Sequence, residues 1–221
     1  MDITKKTFES AAGVQAMNYR DLRKGEERVF SHFAPGSSIL DMGCGTGRTT
    51  AVLKDRGFDV VGMDYSAAMI EEARSQRDDI KYDVMDASDM SYEDRSFDNA
   101  FFSFNGLGFI YPESKRMQAL SEINRVLKPG GIFAYSSHRF MLPDTVGRLK
   151  NDLYSLAYGM VYPYHRTWES GGDLVMVAYR GTRSRQIRQL TQKGFELLDF
   201  FTAKDDYYVC KKVRESSFGG K

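Results

Sequence analysis

The stretch SSILDMGCGTGRTTAVLKDRGFDVVGMD, residues 37–64, limits what this chain can fold into more than any other part of it. An apolar pair, Ile39-Leu40, leads into a turn with glycine at alternate positions: Gly43, Gly45 and Gly47. The pattern predicts a helix over about residues 48–56, with Val52 and Leu53 on one face and Gly57 placed to end it. A second apolar run, 58–63, then stops at Asp64. This order is a βαβ unit whose binding turn follows its first strand.

The chemistry of that turn is specific. Glycines at alternate positions remove the Cβ atoms that would hold a ligand away from the backbone. A turn that opens a helix also leaves N–H groups free to meet the ligand. Asp64 ends the second strand, where a carboxylate accepts both ribose hydroxyls of a nucleoside. The dinucleotide fingerprint G-x-G-x-x-G needs a third glycine where Arg48 stands. Asp41, before the first glycine, is an awkward neighbour for a pyrophosphate but suits an ammonium or sulfonium group.

The residues D-M-G-C-G-T-G at 41–47 resemble motif I of the class I S-adenosylmethionine-dependent methyltransferases, and the likeness runs to about residue 137. It implies a Rossmann-like α/β fold: a seven-stranded, mostly parallel sheet with helices on both faces and an antiparallel last strand. It also implies S-adenosyl-L-methionine as cofactor and S-adenosyl-L-homocysteine as product. Asp41, Gly43, Cys44, Gly45, Gly47 and Asp64 then form the cofactor turn, with Tyr65 and Met69 near the adenine. Asp86 would accept from the adenine amine, and the Ala87 N–H would donate to a ring nitrogen. Ser103 and Phe104, at the end of a fourth strand over 97–103, would lie beside the reactive methyl. Tyr19, on a helix predicted over 19–33, is the candidate for the tyrosine with which such proteins lid the cofactor. Each of three residues keeps a plainer reading: Tyr19 as a packing residue, Met69 as core, and Asp86 as a turn residue.

The rest of the chain divides around this core. Residues 1–18 are polar with scattered hydrophobics and read as weakly ordered without a ligand, so 1–36 is expected to be an N-terminal helical lid. Ser66 is placed to cap a second core helix, and a third strand is expected over 80–85. A helix over 112–127 precedes K-P-G-G at 128–131, which the resemblance makes a tight turn before a fifth strand over 132–137. Residues 138–181 read as an inserted acceptor cover, partly helical over 139–160, with a hairpin around 169–173. Its aromatics are Tyr158, Tyr162, Tyr164 and Trp168. Residues 182–221 should add a helix over 182–193, strands over 195–202 and 207–213, and a disordered tail from 216.

The 221 residues suit one domain. Thirty-one basic residues against thirty acidic ones give a net charge of +1, which offers no general case for nucleic acid or an anionic membrane. The missing Pro-Pro motif after the fourth strand also argues against base methylation in nucleic acid, though not against a tRNA acceptor. Cys44 and Cys210 are too few for a disulfide framework or a zinc site, and His32, His138 and His165 are too scattered to mark a metal. With no leader-like start and no apolar run long enough to span a bilayer, the expected location is the cytoplasm. Arg180, Arg183, Arg185 and Arg188 read either as an anion grip or as a solvated helix face.

A methyl on a sulfonium needs orientation more than activation, and a base only where the acceptor must lose a proton. Asn105, His138 and Tyr19 are the candidates near the methyl, and His138 has an equally good structural reading. The leading expectation is methyl transfer to an oxygen or nitrogen of a small molecule, with a homodimer left open. A nicotinamide-dependent oxidoreductase and a non-catalytic cofactor-binding partner subunit are the alternatives.

Overall fold

The computed structural model describes residues 3–138, 162–167, 173–178 and 181–215. Two short helices, α1 (Ile3–Phe8) and α2 (Ala11–Met17), come first, followed by an irregular segment and α3 (Glu26–Phe30). The core begins with β1 (Ser38–Met42), α4 (Arg48–Asp55), β2 (Asp59–Asp64), α5 (Ala67–Gln76) and β3 (Lys81–Val84). It continues through β4 (Phe97–Phe102), a 3-10 turn (Gly106–Phe109), α6 (Glu113–Val126) and β5 (Leu127–Ser137). A hairpin, β6 (Tyr162–Thr167) and β7 (Asp173–Ala178), forms a separate sheet, and β7 runs alongside α1. The last elements are α7 (Arg183–Gln192), β8 (Phe195–Thr202) and β9 (Asp206–Lys212).

The seven core strands lie in the order β3-β2-β1-β4-β5-β9-β8. Strands β1 to β5 are parallel to one another, and β9 is antiparallel to both β5 and β8. Each central strand is buried on both faces, as helices on either side require. Successive residues alternate between two cores. Leu40, Phe102, Phe133 and Tyr208 face α6 and α7, while Ile39, Phe101, Ala134 and Val209 face α3, α4 and α5. Strand order reverses between β1 and β4, which opens a crevice at their C-terminal ends.

Three expectations change. First, residues 3–17 form two helices, the second capped by Ser10, whose hydroxyl accepts the Gly13 N–H at 3.0 Å. Second, the helix expected over 19–33 shrinks to α3. Gly25 takes a left-handed φ of 106°, and a Cβ there would sit 2.5 Å from the Tyr207 ring. The Glu26 carboxylate then accepts the Arg23 backbone N–H at 2.7 Å, in competition with a helical bond. Third, K-P-G-G is a bulge and not a turn, because α6 runs directly into β5. Phe97 pairs with Leu127 but Asn99 pairs with Ile132, so the extra residues loop out of the ladder.

That bulge is pinned by Asp98. Desolvation pushes its carboxyl up, but Lys128 at 2.7 Å and the Ser38 hydroxyl and N–H outweigh it and bring its pKa down to about 2. Stability from this pin is present above pH 3.8, the ordinary Asp value, and is lost as the pH falls through about 2. On the opposite face Asn124 is fully buried, and its Nδ2 donates to the carbonyls of Lys193 and Arg214 at 2.9 and 3.0 Å. Asn124→Ala is expected to cost about 2–4 kcal/mol, since it strands two acceptors. A urea titration that shows a lower midpoint at unchanged slope would record it.

Candidate functional site

The crevice between β1 and β4 widens into an open cleft. The glycine turn and Asp64 line one side, and Ser103, Phe104 and Phe109 another. Phe8, Met17 and Tyr19 from the N-terminal segment complete it. The segment hangs on polar contacts: the Thr46 hydroxyl donates to Met17 O at 3.1 Å, and the Ser66 hydroxyl to Phe8 O at 3.3 Å.

The three glycines do three different things. Gly45, with φ 56°, lines the cleft and has open space where a Cβ would stand. Gly43 also lines it, but its missing Cβ makes room for Phe102, whose ring would lie 2.5 Å away. Gly47 does not line the cleft. It opens α4 in the left-handed region, and a Cβ there would meet the Tyr82 hydroxyl at 2.6 Å. Of the three, Gly45 alone has open space where a Cβ would stand; at Gly43 and Gly47 a side chain of the same chain fills it. Cys44, between the first two, also lines the cleft, and burial pushes its thiol well up.

Asp64 lines the cleft at 7 % exposure. One oxygen accepts the Gly45 N–H at 3.0 Å and the other the Ser66 N–H at 2.9 Å. The carboxylate thus clasps the turn to the start of α5, where Ser66 also caps Met69 N at 3.3 Å. Burial raises its pKa to about 6, against the pull of those N–H groups. Asp41 is placed otherwise than expected. It is wholly buried beneath the turn and does not line the cleft. Thr49 and Thr50 both donate to its Oδ2 at 2.7 Å, and its Oδ1 has no hydrogen-bond partner. Burial raises it too to about 6, against those two hydroxyls.

Both shifts have the same sign. The stability these groups confer is complete below pH 3.8 and is lost as pH rises through about 6. Binding of a ribose to ionised Asp64 has the opposite sense: affinity should be level above about pH 6 and fall about tenfold per unit below it. A calorimetric titration repeated from pH 5 to 8 checks this.

Tyr65, Met69, Ala87, Ser103, Phe104 and Tyr19 all line the cleft. Asp86 does not. It is turned to the rim, where Lys115 Nζ holds one oxygen at 2.7 Å and Ser88 occupies the other. Asn105 is displaced as well: it is buried outside the lining, in a left-handed turn with its N–H on Ser136 Oγ at 2.9 Å. His138 stands one ring behind the wall, edge-on to Phe109 at 5.9 Å between centroids, with Nδ1 3.9 Å from Asp205. Of the basic cluster, Arg183 covers the Phe200 ring and Arg185 pairs with Glu113, while Arg180 lies outside the described residues. The expected helix over 139–160, Tyr158 and Trp168 also lie outside them.

Sequence reasoning missed one part of the site. Arg48 lines the cleft and is locked to buried Glu26 by two bonds of 2.6 and 2.7 Å. Arg48 drew notice only as a residue that is not glycine, and nothing in the local sequence marks Glu26.

Sheet order, the single antiparallel strand β9 within that sheet, and a glycine turn clasped by the carboxylate that ends β2 give this core the Rossmann-like fold of the class I S-adenosylmethionine-dependent methyltransferases. Residues 39–131 match a family model described as a methyltransferase domain. Demethylmenaquinone methyltransferase of Beutenbergia cavernae is 40 % identical over 97 residues, 44 % of this chain and 39 % of that protein. Malonyl-[acyl-carrier protein] O-methyltransferase of Salmonella typhimurium is 33 % identical over 101 residues, 46 % of this chain and 39 % of that protein. This chain therefore spans about two fifths of the length of the curated relatives it matches. Among solved structures, an S-adenosylmethionine-dependent methyltransferase of Methanosarcina mazei superposes with a TM-score of 0.75 at 21 % identity, covering 87 % of this chain and 99 % of that one. The CcbJ methyltransferase of Streptomyces caelestis gives 0.75 at 16 % identity, covering 97 % of this chain and 100 % of that one. These two likenesses speak for the fold.

Proposed function

We propose that this chain is a methyltransferase that moves the methyl group of S-adenosyl-L-methionine to an oxygen or nitrogen of a small molecule by in-line displacement. The observation that carries the reading is the Asp64–Gly45 clasp on the wall of a cleft that is otherwise mainly apolar and aromatic. The residues fit the cofactor. Gly45 leaves open space where a backbone must approach it, Asp64 is an acceptor at the ribose position, and Met69 and Ala87 offer a flat apolar bed for a base. Below the turn, the unpartnered Asp41 oxygen adds negative potential where a cation would lie.

When bound, the cofactor supplies a methyl already made electrophilic by its sulfonium. The chain's part is to orient and to exclude water. Tyr19, Phe104 and Phe109 narrow the cleft, and a water-poor site keeps reacting groups in register. Where the acceptor must lose a proton, Tyr19 is the candidate that lines the cleft, while His138 stands behind the Phe109 ring and Asn105 is buried outside the lining. Demethylmenaquinone and a malonyl group on an acyl carrier protein, the acceptors for which two relatives are named, support a small acceptor group, and the near-neutral net charge offers no general case for nucleic acid. No described helix is long and apolar enough to cross a membrane. Two buried free thiols accord with a cytoplasmic location.

The test is a calorimetric titration with S-adenosyl-L-homocysteine beside one with NAD. Micromolar binding of the first and none of the second is expected. The reverse result would replace methyl transfer with hydride transfer.

A further inference from the structure

Residues 18–25 form no helix or strand, yet two ion pairs within or beside them are largely buried: Arg23–Asp205 at 3.2 Å and Glu26–Arg48 at 2.6 Å. Glu26 is the more constrained. It is fully buried at the first position of α3. Its oxygens accept both terminal nitrogens of Arg48, the Arg23 N–H at 2.7 Å, and the Ser103 hydroxyl. The Arg48 guanidinium also donates to Asp21 O at 3.1 Å and lies 5.1 Å from the centre of the Tyr19 ring. Arg48, Ser103 and Tyr19 line the cleft, whereas Glu26 stands behind them.

Stability alone does not account for such a pair. Two charges withdrawn from water regain in mutual attraction about what they lose in hydration, and a well-packed apolar pair often serves a fold equally well. What the ion pair adds is direction: a bidentate guanidinium–carboxylate contact admits one geometry. Here that geometry joins the residue that opens α4, the residue that follows β4, and the segment that carries Tyr19.

We propose that Glu26 is a positioning residue of the cofactor cleft: through Arg48 and Ser103 it fixes residues 18–25, and Tyr19 with them, against the wall where the glycine turn meets the end of β4. This rests on the cofactor reading above and adds a residue that touches no ligand. Its consequence is a coupling: cofactor seated against Tyr19 and Arg48 holds the segment, and the segment so held binds cofactor more tightly.

The test compares wild type, Glu26→Gln and the double variant E26M/R48M. S-adenosyl-L-homocysteine affinity, melting temperature, and trypsin cleavage at Arg20, Arg23 and Lys24 are measured on each. In wild type the ligand should shield these three sites. Glu26→Gln keeps the shape but leaves the guanidinium without its counter-charge. Affinity should fall about 5- to 150-fold, the usual span of linked-site coupling, and the shielding should vanish. The double variant replaces the pair with apolar side chains of similar reach, so its melting temperature should recover. Its affinity and shielding should not. Recovery of affinity together with stability would make the pair a fold element only and overturn the proposal. So would Glu26→Gln binding within about twofold of wild type. If wild type itself does not bind, the cofactor reading fails and this inference with it; if wild type binds and the variants match it, the inference alone fails.

Discussion

Asp64→Ala should abolish measurable binding of S-adenosyl-L-homocysteine while leaving a cooperative thermal transition. A carboxylate that accepts two ribose hydroxyls makes two charge-assisted hydrogen bonds, each about 1.5–3 kcal/mol. Their combined loss, about 3–6 kcal/mol, is a fall of more than about 100-fold in affinity. The substitution also frees the N–H groups of Gly45 and Ser66, now held at 3.0 and 2.9 Å, so the turn loosens as well. Asp64→Asn separates the two effects, because its amide oxygen keeps one acceptor for the turn and removes the charge. The Asn variant should therefore melt closer to wild type than the Ala variant and still bind at least about tenfold more weakly than wild type. Calorimetry and a circular-dichroism melt on the three proteins decide it. Affinity of the Ala variant within a few-fold of wild type would remove Asp64 from the binding site.

The second large effect concerns stability. Gly43→Ala places a side chain at φ 57° and drives its Cβ to 2.5 Å from Phe102 Cε2. The left-handed backbone costs about 1–2 kcal/mol, and forcing the ring aside about 1–3 more. Phe102 has little freedom to yield, because its ring also fills the space where Gly106 lacks a Cβ. A loss of about 2–5 kcal/mol is expected from chemical denaturation. Gly45→Ala is the matched comparison. Its φ of 56° gives the same backbone cost, but open space surrounds the new Cβ. It should destabilise by only about 1–2 kcal/mol and act chiefly on ligand affinity. Equal stability losses in the two variants would mean that the Phe102 contact is not felt.

The parts of this molecule that were legible in its sequence are those encoded locally. Gly43 to Gly47, Asp64 and the Ser66 cap lie within a few residues of the backbone groups they serve, or one βαβ unit away, so their spacing alone announced the turn, the carboxylate that ends β2 and the cap, though not the clasp between the first two. The sheet followed from apolar runs buried on both faces. What stayed hidden depends on distant partners. Gly47 yields to Tyr82, and Gly43 to Phe102, neither of which the turn names. The helix over 19–33 was plausible from its apolar spacing, but Gly25 against Tyr207 and Glu26 against Arg48 override that local preference. The end of the third strand marks Asp86 but not its partner Lys115, which comes from another element.

The place of β9 bears on how the molecule is made. It sits between β5 and β8, so a strand near the end of the described chain is inserted one place in from the sheet edge. While a ribosome is still adding residues 181–212, β1 to β5 can already pair, but β5 presents a bare, apolar edge including Phe133 and Tyr135. That edge is a template for any strand that arrives first. Truncation before Asp206 should therefore yield a chain that self-associates, and synthesis slowed late in the message should lower soluble yield more than the same delay early on.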